Sequence, residues 1–209
     1  MLTPHWFLPY DSILQFITTL LALAVSMFAY RGYRWIQDRT FKALYISFAL
    51  LATGFFIKGL VLAFTFAYGV NYAEHGTLVD VLALGFWIYY ILTIIAFGTL
   101  VYVYSGRLSK NSMALAAVTG TTLLLVNPFF ELVIVVLLLI IIMAQLAHIA
   151  VRRSVNAEVV TFGFTALLIG HILFMLGAAN DLLYVFGTIF QLIAFASLIL
   201  VLHRLREPK

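Results

Sequence analysis

Apolar runs of about twenty residues recur along this chain, each closed by a short polar cluster, and this rhythm limits the fold more than any other feature. Roughly 20 helical residues cross about 30 Å of hydrocarbon. In lipid, only helices or closed barrels satisfy every backbone polar group. Barrel strands alternate in polarity over about ten residues, and these runs do not. The rhythm therefore predicts an all-α integral membrane bundle forming a single transmembrane domain over residues 1–209. Composition agrees: 65% of the residues are hydrophobic and 10% charged, too few polar groups to coat a soluble domain.

The runs place spans at 12–30, 41–68, 79–104, 112–127, 130–151, 158–178 and 181–203. All but one of the twelve cations fall in alternate connections: Arg31, Arg34, Arg39 and Lys42, then Arg107 and Lys110, then Arg152 and Arg153, then Arg204, Arg206 and Lys209. Cationic loops stay cytoplasmic. The expectation is seven helices, with the N-terminus extracellular and the C-terminus cytoplasmic, in a multi-pass protein of the cell membrane. The net charge of +4 is then a topology signal held against lipid headgroups, not a nucleic-acid surface. The start "MLTPHWFLPYDS" lacks the basic segment of a cleavable signal. With no cysteine, disulfide and thiolate chemistry are out.

Five of the eight acids, Asp11, Glu74, Asp80, Glu131 and Asp181, lie at the opposite side. Asp11, Asp80 and Asp181 each begin a span, and Asn127-Pro128 precedes Glu131. The plain reading is helix capping and dipole compensation. Ligand or cation capture is the alternative.

The chain also repeats itself. "IAFGTLVYVY" from Ile95 closes the third span, and "IAFASLILVL" from Ile193 closes the seventh, with half the positions identical. "AYRGYR" (29–34) aligns with "AHIAVR" (147–152), and "SFALLATGFFIKG" (47–59) with "TALLIGHILFMLG" (165–177), placing Ala52 and Gly59 on Gly170 and Gly177. The implied plan is two parallel half-repeats, 11–107 and 128–206, linked by helix 112–127. This three-plus-one-plus-three plan resembles that of SWEET sugar transporters and of microbial rhodopsins. The motifs of both are missing: there is no proline–glutamine pair, and Gln191 stands where a retinal lysine would be expected. The "AYRGYR…RTFKALYISFALLATG" stretch also resembles uncharacterised archaeal three-helix membrane modules, which implies a membrane-embedded role.

Lys58 is the remaining cation, ten residues below the end of span two and so near mid-bilayer. A lysine there costs about 3 kcal/mol, and intramembrane ionisable groups point to function by default. Tyr89, Tyr90 and Gln191 lie at similar depth, His171 somewhat further out, and Thr53 a turn further in. These six residues form the candidate ligand site or ion pathway; the competing reading is a purely structural hydrogen-bond cluster. Haem and metal are not expected. His148 and His171 differ in depth, and His5 and His75 show no ligand spacing. No catalytic residues are expected either, since the spans hold no carboxylate pair, HExxH or nucleophile elbow. No cofactor is implied.

Aromatic residues at the span ends, including Trp6, Tyr30, Trp35 and Tyr68, form interfacial belts. Two function classes follow. One is a receptor-like or partner-binding module with an intramembrane polar site, relaying to a membrane or cytoplasmic protein at the basic inner loops. The other is a carrier or channel for a small solute or ion. The absence of interior proline breaks favours the first.

Overall fold

The computed structural model describes residues 3–68, 76–105, 130–151, 155–177 and 179–204. Expected helix 112–127, the Asn127-Pro128 cap, His75 and most loop and tail cations lie outside these residues, as do the side chains of Asp80 and His148. Among the described residues the fold is wholly helical: α1 (Leu8–Ile36), α2 (Arg39–Tyr68), α3 (Gly76–Ser105), α4 (Phe130–Val151), α5 (Val155–Leu176) and α6 (Asp181–Arg204). All six are long and apolar enough to cross a membrane.

Helix α1 extends beyond the expected 12–30 at both ends. Pro9 sits in its first turn, where a missing N–H costs nothing. At the other end the helix continues through the basic segment to Ile36. It stops where Gln37 turns left-handed (φ 54°) and donates its N–H to Tyr33 O. Asp38 then accepts the Thr40 N–H at 2.9 Å and starts α2. Between α5 and α6, Gly177 donates to Phe174 O, and Asn180 accepts the Leu182 N–H at 2.9 Å. Asn180 is therefore the capping side chain, and Asp181 is an exposed first-turn acid beside it.

Each helix packs on the next in the chain, and α6 closes back on α1, so the six form a ring. Directions follow from the contacts. Phe97 meets His171 and Tyr104 meets Phe164, so α3 opposes α5. Glu131, at the start of α4, meets His171 near the end of α5, so α4 also opposes α5 and runs parallel to α3. Asp11 meets Tyr184, both near the starts of their helices, so α1 and α6 are parallel. Thus α1, α3, α4 and α6 run one way, and α2 and α5 the other. The end where α1 and α6 begin is called the upper end below.

Side-chain placement is inverted relative to a soluble helix. Along α1, Asp11, Ser12, Gln15, Thr18, Thr19 and Ser26 are buried, while Ile13, Ile17, Leu20 and Met27 face outward. Water would favour the reverse. In a bilayer the outer face meets hydrocarbon and polar groups must find partners inside. Phe48, Phe55, Tyr89, Phe97, Leu138 and Phe195 fill the ring's centre, with Phe195 edge-on to both Phe48 and Phe55. Small residues set the closest approach: a Cβ on Gly170 would stand 3.0 Å from Gly187 O, so α5 and α6 meet backbone to backbone. Gly59 packs on Gln15 and Phe16 of α1, whereas Gly177, its expected counterpart, lies in the turn after α5 against Tyr184.

Candidate functional site

Three helices wall in Lys58. Its ammonium lies 5.2 Å from the Tyr89 ring on α3, 5.2 Å from Phe174 on α5 and 5.8 Å from Tyr184 on α6. Ring faces carry negative charge density and stabilise a desolvated cation by about 2 kcal/mol or less each. The side chain is 6% exposed. No described carboxylate lies within ion-pair distance, and the ammonium makes no hydrogen bond to a described residue. Gly59, the next residue, accepts a hydrogen bond from Ser12 at 3.0 Å, which places Lys58 level with the second turn of α1. Helix α2 therefore runs on past the start of α1 to Tyr68.

Two acids flank this lysine, and both point inward. Asp11 is fully buried and accepts from Gln15 Nε2 at 2.8 Å, Tyr184 OH at 2.7 Å and Thr3 Oγ1 at 3.1 Å. Thr3 lies equally close to the Tyr184 hydroxyl, at 2.9 Å. Glu131 forms a short pair with His171, whose Nδ1 lies 2.6 Å from Oε2, while Tyr90 OH reaches Oε1 at 3.2 Å. The capping reading of Asp11 is therefore corrected, while Glu131 is the first-turn acid expected. They occupy first turns as expected, yet their carboxylates turn into the bundle because tyrosines from neighbouring helices supply donors there.

Of the six residues singled out from sequence, Lys58 and Tyr89 are in direct contact, and Tyr90 and His171 meet on Glu131. Gln191 is 1% exposed, and neither its Oε1 nor its Nε2 bonds to a described residue. Thr53 does not join: it is exposed and its hydroxyl donates to Ala49 O of its own helix. At about 100° per residue, Thr53 points well away from Lys58. Sequence reasoning offered capture by Asp11 and Glu131 only as the alternative to capping, and it missed Tyr184, Thr3 and Gln15. The available signal was periodicity: Asp11, Gln15 and Thr18, and likewise Tyr184, Thr188 and Gln191, each trace one stripe on an otherwise apolar helix.

Above the cluster, a cavity of about 310 Å³ is lined by Thr3, Pro4, His5, Leu8, Leu62, Thr65, Phe86 and Asp181. Thr3 belongs both to its wall and to the Asp11–Tyr184 network. Below the cluster lies the aromatic layer of Phe48, Phe55 and Phe195. Among the described residues, no group of three His, Asp or Glu is placed to hold a metal ion. The arrangement can hold charge and accept or donate hydrogen bonds in a buried compartment.

Compared with protein-family models, curated proteins and solved structures, the chain matches none.

Proposed function

We propose that this chain is a non-enzymatic seven-helix membrane protein of receptor or sensor type that holds a small ligand at Lys58. The observation carrying this reading is an ammonium that bonds to no described residue, walled by three aromatic rings on three different helices. Such an arrangement couples α2, α3, α5 and α6 through one residue, so a ligand that displaces or engages Lys58 shifts several helices together. The aromatic layer beneath favours a closed pocket over a through-path. Relay would run to a membrane or cytoplasmic protein at the basic loops.

The seventh crossing belongs to the same reading. Helices α3 and α4 run parallel, so Ser105 and Phe130 lie at opposite ends of the bundle, which supports a further crossing. Cation placement then sets the N-terminus outside and the C-terminus in the cytoplasm. Internal duplication is supported by matching contacts. Phe97 of the first echo reaches α5, and Phe195 of the second reaches α2, the corresponding helix of the opposite half. Ala96 and Phe97 are buried and Ile95 exposed, as are Ala194, Phe195 and Ile193.

A carrier or channel is the second reading, favoured by the polar stripes of α1 and α6. Proteoliposomes separate the two. Flux of protons, chloride or glycerol that disappears in Lys58→Met would replace the receptor reading. Under that reading no such flux occurs, and small amphipathic molecules that raise the melting temperature of the native protein lose their effect in Lys58→Met.

A further inference from the structure

The α1–α6 seam contains more polar atoms than its hydrogen bonds use. On α1, Asp11, Gln15, Thr18 and Ala22 form one stripe, each fully buried. On α6, Tyr184, Thr188, Gln191 and Phe195 form another, each at most 6% exposed. The helices are parallel and meet at Asp11–Tyr184, so counting down from that contact at one rise per residue puts Gln15 level with Thr188, Thr18 with Gln191 and Ala22 with Phe195. Polar groups face polar groups for about 10 Å of helix at about 1.5 Å per residue. Then the pairing becomes a small residue against a large ring, and Phe195 contacts Phe48 and Phe55 as a floor.

Within that stretch, Gln15 Oε1 and both polar atoms of the Gln191 amide have no described partner. Thr18 and Thr188 donate to carbonyls of their own helices, leaving acceptor lone pairs. Lys58, at the upper end of the stretch, makes no hydrogen bond to a described residue. Buried amides left bare are costly, and native proteins satisfy them with ordered water where the site is polar and offers several partners. Among the described residues the opposite seam has no unpartnered side-chain atom: Thr93 donates to Tyr89 O, Phe97, Leu100, Leu138 and Ile141 follow below it, and buried Gln145 lies beyond them.

We propose that the α1–α6 seam binds a short file of water molecules. The file runs from the Lys58–Asp11 cluster past Gln15 to Gln191 and ends blind on Phe195. Its upper end adjoins the cavity lined by Thr3 and Thr65, the side from which it fills. Gln191 is its terminal anchor. The file supplies acceptors to Lys58 and gives the buried cluster proton exchange with one face of the membrane alone. Ser47 Oγ, also without a described partner, is one residue from Phe48, beyond the floor, and is not part of the file.

Hydroxyl-radical footprinting of the intact protein in detergent tests this, with water itself as the probe. Radicals generated in place label side chains beside bound water even when bulk solvent cannot reach them. Phe195 and Phe164 are the same residue type and both fully buried. Labelling of Phe195 several times faster than Phe164 is expected, falling to the Phe164 level in Gln191→Leu with a lowered melting temperature. Equal labelling of the two rings in the native protein overturns the proposal, whatever the variant does. Persistent Phe195 labelling in a folded Gln191→Leu protein overturns the role of Gln191. So does a raised melting temperature in that variant, which would mean the amide had been dry and unpaired. Flux or ligand binding at Lys58 does not enter these measurements, so this inference and the receptor reading fail separately.

Discussion

The bundle has two seams where one half meets the other, α1–α6 and α3–α4, and they are built from the same parts. In each, an acid from the first turn of one helix takes a hydrogen bond from a tyrosine on a parallel neighbour: Asp11 from Tyr184, Glu131 from Tyr90. In each, a basic side chain on an antiparallel helix lies nearby, Lys58 on α2 and His171 on α5. The difference is in how the charge is satisfied. Glu131 pairs with its base at 2.6 Å, and beneath it Thr93 bonds within its own helix above the apolar Phe97, Leu100, Leu138 and Ile141. Asp11 is held by three neutral donors, its lysine stands in an aromatic box, and the seam beneath is polar. A buried charge can be stabilised by a direct partner or by distributed neutral groups. The first closes a site, and the second leaves donors and acceptors free for something else. This contrast is why the candidate site belongs to the α1–α6 side.

Breaking the direct pair should have the largest effect. Glu131→Leu strips His171 of its partner, and removing one member of a buried pair costs about 3–5 kcal/mol; thermal unfolding in detergent should register it, and the double variant Glu131→Leu/His171→Phe should recover much of the loss. Next come the two tyrosines. Tyr184→Phe should cost about 2 kcal/mol, as for a hydrogen bond to a charged group. Tyr90→Phe should cost less, because its bond is 3.2 Å against 2.7 Å. Equal losses would remove the distinction between the seams. Gly170→Val should cost about 1–3 kcal/mol by forcing α5 off α6, where a Cβ already meets Gly187 O at 3.0 Å. Thr53→Val, on the outer face of α2, should leave the melting temperature and any Lys58-dependent binding unchanged. A change there would return Thr53 to the site.

The apolar rhythm located five of the six described helices to within a few residues, because burying unpaired backbone in lipid is prohibitive and run length alone reports a span. It placed α1 less well, since Arg31 and Arg34 look like a loop and in fact continue the helix. Lys58, Tyr89, Tyr90, His171 and Gln191 were legible as polar residues at depths where polar residues are costly. Asp11 and Glu131 were legible only as the alternative to capping. A first-turn acid has a sufficient local explanation in the helix dipole, and only a neighbour's tyrosine turns it inward.

What the sequence by itself determined is the material: apolar helices of membrane length, and a small set of polar groups placed too deep to be surface decoration. Only the tertiary structure decided which of them meet. Helical rotation sent Thr53 outward, the packing of α2 on α1 set Lys58 level with that helix's second turn, and the parallel approach of α6 gave Asp11 its tyrosine. Depth is a one-dimensional quantity that a chain encodes directly. Azimuth and neighbour identity arise only when helices pack, because they depend on which small residues let which backbones come close.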